Sequence, residues 1–225
     1  MKKGIYTESS DFLPYYRQQH ELSKRAIRHD EIADDIRLIG GADVAYRESE
    51  DRMVGAIVVL DSQTLQVVAS ACCEMEITFP YVPGLFSFRE VPALVQAFGQ
   101  LEVKPQVIVC DGHGIAHPKK IGMATHLGIE LDIPTIGCAK SRLVGSWNKD
   151  ELKLERGSSV PLAWENEIVG NVLRTQTGIK PVFVSIGHKV SLQTATSMVL
   201  HLASKYRLPE TTRQSDQLVN RRMKD

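Results

Sequence analysis

The run Val107-Ile108-Val109-Cys110, followed at once by Asp111-Gly112-His113-Gly114, constrains this chain more than any other stretch. Consecutive apolar residues with no polar alternation read as a short strand covered on both faces, which calls for layers on either side of a sheet and so for an α/β fold. The strand stops at an acid. Gly112 and Gly114 let the backbone turn sharply and approach a ligand, leaving Asp111 at the carboxyl end of a central strand, where open α/β sheets hold their chemistry. On its own, an Asp-Gly pair after a strand is equally a turn former.

The remaining segments supply the layers. Residues 11–29 predict an amphipathic helix that starts from a capping Ser or Asp and covers the core. Residues 38–46, 53–60 and 66–72 read as three strands joined by short polar turns, hence an antiparallel meander. A helix runs through Leu94, Val95, Phe98 and Leu101 and ends before Pro105. Ser87-Phe88-Arg89-Glu90 has the form of a capping box, but Pro92 would then break the helix interior. The helix is therefore expected to begin near Pro92, with Glu90 just outside it and free to point at a neighbour. Beyond Asp111 we expect a helix over 121–131, a strand over 133–138 leading to Lys140, and an exposed excursion over 145–160. Strands near 168–173 and 181–186, a helix over 191–204 and a short basic helix in the tail complete the chain. The expectation is one domain over 1–225, with a mixed central sheet and helices on both faces.

Composition narrows the function classes. The 27 basic and 27 acidic residues cancel, so net charge points to no polyanion, although residues 201–225 carry six basic against three acidic. No apolar run has membrane-spanning length and no apolar signal core follows Met1, so a soluble, cytoplasmic protein with no membrane partner is expected. Cys72, Cys73, Cys110 and Cys138 lack Cys-x-x-Cys spacing and read as reduced thiols. Zinc at His113 and His117 is rejected, because Gly112, Gly114 and Pro118 forbid the continuous helix that would put both rings on one face.

Carboxylates carry the chemistry. Asp43 interrupts an apolar strand, so it is either at an exposed edge or held for a ligand, with Gly40-Gly41-Ala42 leaving room beside it. If the first and fourth strands are neighbours, Asp43 meets Asp111, and Glu90 is the third candidate. Three clustered carboxylates require a shared proton or a divalent cation, and magnesium suits oxygen donors best. Lys140 either supports a phosphate or water there, or is a solvated surface lysine. The loop Thr78 to Glu90 is stiffened by Pro80 and Pro83 around Tyr81, which either tips a projection or packs back on the core.

Taken together, Gly41-Ala42-Asp43-Val44, Pro80-Tyr81-Val82-Pro83-Gly84, Ser87-Phe88-Arg89-Glu90, Asp111-Gly112-His113-Gly114-Ile115-Ala116-His117-Pro118, Pro134-Thr135-Ile136-Gly137-Cys138-Ala139-Lys140, Gly187-His188 and Tyr206-Arg207-Leu208-Pro209-Glu210 resemble the endonuclease V family, in this order, over residues 39–216. The resemblance implies an RNase H-like fold and a magnesium-dependent nuclease, with manganese as substitute. It implies cleavage of DNA containing deoxyinosine at the second phosphodiester 3′ to the deaminated base, leaving a 3′-hydroxyl and a 5′-phosphate. By that likeness Asp43, Glu90 and Asp111 match the acidic triad, Lys140 the lysine beside it, and Asp216 the residue completing the metal site. Pro80, Tyr81, Val82 and Pro83 match a strand-separating wedge, and Gly84, Leu85, Gly112, His117, Ile121 and Gly122 a pocket for the lesion base. The tail departs from the family pattern, with Thr211 where a proline is common. Alternatives of other kinds are a ribonuclease for inosine-containing RNA and a non-catalytic damage-binding protein. A monomer is expected.

Overall fold

Val107, Ile108, Val109 and Cys110 are all fully buried and form β4 (Val107–Cys110). The computed structural model describes residues 10–224. In it β4 lies in the middle of an eight-stranded sheet with β1 (Leu38–Arg47), β2 (Arg52–Asp61), β3 (Val67–Glu76), β5 (Thr135–Ala139), β6 (Ser159–Trp164), β7 (Glu167–Leu173) and β8 (Val182–His188). The order across the sheet is β3-β2-β1-β4-β5-β8-β7-β6. β1, β2 and β3 pair antiparallel as a meander, β4 pairs parallel with both β1 and β5, and β8 runs antiparallel to β5. This mixed α/β topology is the RNase H-like arrangement.

Alternation along the strands builds two layers. Ile39, Val107, Val109, Ile136 and Val184 face α4 (Leu192–Leu202), packing with Ala195, Val199 and Leu202. The intervening residues Ala42, Ile57, Ile108 and Cys110 face α2 (Phe86–Gln100) and α3 (Met123–Leu131) through Val91, Leu94, Ala124 and Leu127. α1 (Leu13–Lys24) joins α3 through Leu22 and Ile129. α5 (Glu210–Arg222) lies on the α4 side, where Val219 and Met223 meet Val54 and Ala56 of β2.

Two expectations are corrected. α2 begins at Phe86, well before Pro92, so Glu90 lies inside the helix and is buried. An interior proline costs about 3 kcal/mol, but Pro92 sits on the exposed face while Val91, Ala93, Leu94 and Ala97 are buried on the other, and that packing outweighs the missing bond. α1 starts from a 3-10 turn at Ser10–Phe12 with no side-chain cap, in place of the capping Ser or Asp. The excursion over 145–160 is mostly exposed, as expected, and is anchored where Ser146 bridges Ala163 and Trp147 packs with the cluster of Val160, Leu162 and Phe183. Strand β6, ending at Trp164, has no counterpart in the sequence reading. The four cysteines are free, and three of them are buried. No helix among the described residues is long and apolar enough to cross a membrane.

One close approach decides where α5 sits. A Cβ on Gly41 would lie 2.1 Å from the carbonyl oxygen of Thr211, in the first turn of α5, so only glycine lets the helix rest on β1. Gly41→Ala is expected to lower stability by about 1–3 kcal/mol and to shift Asp216, carried by the same helix. Thermal unfolding checks it, and an unchanged midpoint would contradict this docking.

Candidate metal centre and adjoining cavity

Register brings the first two acids together. β1 and β4 pair in parallel with Ala42 opposite Cys110, and the Asp111 amide donates to the Ala42 carbonyl at 3.0 Å. Asp43 and Asp111 therefore follow one another on neighbouring strands. By alternation from Gly41 and Val109 both project toward the layer that holds α5. Asp216 comes from that helix, and one carboxylate oxygen each from Asp43, Asp111 and Asp216 lie within 4.8 Å of one another. Asp43 is no edge residue, since β1 is paired on both sides.

Lys140 stands just past β5, the other neighbour of β4. Its Nζ lies 2.5 Å from Asp111 Oδ2 and 4.0 Å from Asp216 Oδ1, so it is no free surface lysine. Burial alone would lower its pKa, but the hydrogen bond and charge of Asp111, with Asp43 and Asp216, raise it on balance. One cation among three carboxylates leaves a surplus of negative charge. Burial, then the neighbouring Asp111 charge, push the Asp43 carboxyl up to about 7 despite the amide bond it accepts from Val44. An all-oxygen donor set with unbalanced charge fits a hard divalent cation held by Asp43, Asp111 and Asp216.

Glu90 is placed differently from its expected partners. It reaches the strand ends from α2, on the opposite layer, and does not share the tight group of carboxylate oxygens. The phenol of Tyr46 donates to its Oε1 at 3.0 Å. Burial above all raises its pKa to about 8, the Tyr46 bond opposes this, and the charges of Asp43 and Asp111 add to it. Tyr46 in turn carries the Arg89 guanidinium over its ring, 4.5 Å from the centroid, and Arg89 pairs with Glu48. Tyr46 escaped the sequence reading, although alternation from Asp43 puts it on the face of β1 that meets α2.

Beside the acids lies a cavity of about 340 Å³ whose lining includes both Glu90 and Asp111. Tyr81, Pro83, Gly84, Gly112, His117, Ile121 and Gly122 line it as well. Leu85 does not, being fully buried beneath the loop, and Pro80 and Val82 also lie outside the lining. Val82 accepts the turn bond from the Leu85 amide, and Gly84 takes the left-handed φ of +85° that this turn requires. Tyr81 is 67% exposed with its ring edge-on to Phe86, so it is not packed into the core. Phe86, Ser87, His113, Met123 and Leu143, none of them among the expected pocket residues, complete the walls. His113 and His117 are pushed down to about 4 by burial and stand neutral at neutral pH, and His113 Nδ1 has no hydrogen-bond partner among the described residues.

These shifts make stability depend on pH in two opposed ways. Asp43 and Glu90, raised to about 7 and 8, keep protons when folded that the unfolded chain has released, so stability falls as pH rises toward 8. His113, His117 and His126, depressed to about 4, stay neutral when folded while the unfolded chain protonates, so stability is lost as pH falls from the ordinary imidazole range toward 4. The metal-free protein is expected to be most stable near about pH 6, and Asp43→Asn or saturating divalent cation should flatten the alkaline fall. Calorimetric unfolding from pH 4 to 8.5 measures both, and an alkaline limb indifferent to cation would contradict the charge surplus.

Comparison with known proteins agrees with this fold. The sequence profile of the Endonuclease V family matches residues 20–217. Endonuclease V of Nostoc punctiforme is 45% identical over 202 residues, covering 90% of each chain. The crystal structure of endonuclease V from Streptomyces avermitilis superposes with a TM-score of 0.90 at 43% identity, over 98% of this chain and 95% of that one. Endonuclease V of Ciona intestinalis, solved in complex with a 24mer DNA containing an inosine followed by a ribo-adenosine, gives a TM-score of 0.83 at 27% identity, over 96% and 99% of the two chains. With Asp43 inside β1, Asp111 just past β4, and a fold and sequence shared over nearly their whole length with these nucleases, the chain belongs to the endonuclease V family.

Proposed function

We propose that this protein is a DNA repair endonuclease that recognises deoxyinosine and hydrolyses the second phosphodiester 3′ to it, leaving a 3′-hydroxyl and a 5′-phosphate. The observation that carries the reading is a shared wall: Asp111 belongs to the acidic cluster and also lines, with Glu90, the cavity framed by Tyr81, Gly84, Gly112 and His117. A base held in that cavity leaves its own backbone beside the carboxylates. The inosine-containing DNA bound by the Ciona enzyme supports the same substrate class.

Asp43, Asp111 and Asp216 would hold magnesium, or manganese in its place, with Glu90 adding a further carboxylate from α2. The cation supplies positive charge to the phosphate and makes a water more acidic at neutral pH. Lys140, already hydrogen-bonded to Asp111, is placed to donate to a phosphate oxygen and to offset its charge. Tyr81, exposed on a loop stiffened by Pro80 and Pro83, would fill the gap left by an extruded base and recover part of the unstacking cost. Gly84, Gly112 and Gly122 let backbone groups approach the base edge, while His113 and His117, being neutral, offer hydrogen bonds without placing a charge beside an uncharged base. On this proposal the protein acts as a monomer in the cytoplasm.

A second reading, cleavage of inosine-containing RNA, is favoured by the ribo-adenosine in the Ciona complex, since a 2′-hydroxyl distinguishes the two strands. Substrates carrying deoxyadenosine or adenosine after the inosine separate them.

With a purified end-labelled duplex carrying one deoxyinosine, we expect a single magnesium-dependent nick at the second 3′ phosphodiester and none in EDTA. Scattered cutting would discard the inosine specificity. Asp111→Asn should lose cleavage by orders of magnitude while still binding the duplex in calcium, and retained cleavage would remove the cluster from the chemistry. Tyr81→Ala should slow cutting of duplex more than of single strands; equal effects would end its assignment as a wedge.

A further inference from the structure

The Tyr81 loop is braced from beneath by α1, a helix that supplies no acid to the cluster. Leu22 packs against Ile121, which lines the cavity. Just before and within the helix, Phe12 and Tyr15 meet Phe79, the residue preceding Pro80, at ring-centroid distances of 5.7 and 4.8 Å. Between these two apolar contacts lies Gln19. Its side chain is polar yet only 1% exposed, and its Nε2 donates to the carbonyl of Gly84 at 2.5 Å. Only the amide nitrogen can face a carbonyl, so the orientation is unambiguous. A buried amide without a partner is costly, which keeps this bond made.

Gly84 is otherwise loosely surrounded, since a Cβ built on it meets nothing within 4 Å. It is also the point where the loop turns, with φ +85°, three residues after the exposed Tyr81. The Gln19 bond therefore ties down the pivot of a projection whose tip has no comparable anchor.

We propose that Gln19 is a positioning residue: by fixing the Gly84 carbonyl it holds the Tyr81 loop at the angle needed to keep two strands apart, and so governs action on duplex far more than on single strands. The inference rests on the proposed function, in particular on Tyr81 as a wedge. Releasing the pivot lets the loop swing, which weakens strand separation. A base in a single strand needs no separation and reaches the cavity as before.

The test is cleavage of one inosine oligonucleotide, single-stranded and in matched duplex, by wild type, Gln19→Met, Gln19→Asn, Tyr81→Ala and the Gln19→Met/Tyr81→Ala pair. Met keeps the length and loses the donor. Asn keeps the amide one methylene short of the carbonyl and serves if thermal unfolding shows that Met compromises the fold. We expect kcat/KM on duplex to fall about tenfold, with single-strand cleavage within about twofold of wild type. In the Tyr81→Ala background Gln19→Met should add no further loss, because both act through one loop. Equal losses on both substrates, unchanged cleavage of both, or additive losses in the double variant would overturn the proposal. Wild type that cuts neither substrate at inosine would remove the nuclease reading itself, an outcome visible before any variant is compared.

Discussion

The parallel pairing of β1 with β4 is the constraint on which the rest depends. It places Ala42 opposite Cys110 and, one step on, sets Asp43 beside Asp111 at the centre of the sheet. Two carboxylates brought together by backbone hydrogen bonds cannot relax apart as surface acids can, so their repulsion must be met by charge from outside the sheet. Lys140 meets part of it from the end of the next strand, while burial and then the Asp111 charge keep the Asp43 carboxyl raised. A divalent cation, as proposed, would balance the remainder.

The second layer turns this charge problem into a site. Gly41 lets α5 lie against β1 and bring Asp216 to the open side of the pair. On the other face α2 holds Glu90 and, at its start, the loop that carries Tyr81. A third element, α1, takes no part in the charge balance but supports the pivot of that loop through Gln19. In the proposed function, chemistry and recognition therefore draw on different layers and meet where Glu90 and Asp111 line the cavity.

Much of this was legible in the sequence where local rules and tertiary context agree. The run from Val107 to Cys110, the three meander strands and the acid at the end of β4 follow from apolar pattern and glycine placement alone. Asp43 was readable as an anomaly, a charge inside an apolar strand. Glu90 was misplaced because Pro92 is a local signal against helix, whereas burial of Val91, Leu94 and Ala97 on the opposite face is a tertiary one, and the tertiary signal won. β6 was missed because its apolar residues are interleaved with a proline and exposed positions, so its pairing with β7 carries information that composition lacks. Gln19 looked like any polar residue on an amphipathic helix, and its partner lies 65 positions away. The link from Asp216 to the cluster depends on the close approach at Gly41, which no spacing in the tail reveals.

The most direct test of the account is where a cation binds. Crystals of the protein soaked in manganese, with diffraction recorded to show the anomalous signal of the ion, would locate it without reference to activity. A peak enclosed by the carboxylates of Asp43, Asp111 and Asp216, within reach of Glu90, is the predicted result. A fully soaked crystal with no peak there, or with its strongest peak at a site lacking Asp43 and Asp111, would contradict the claim that β1–β4 pairing builds a metal centre.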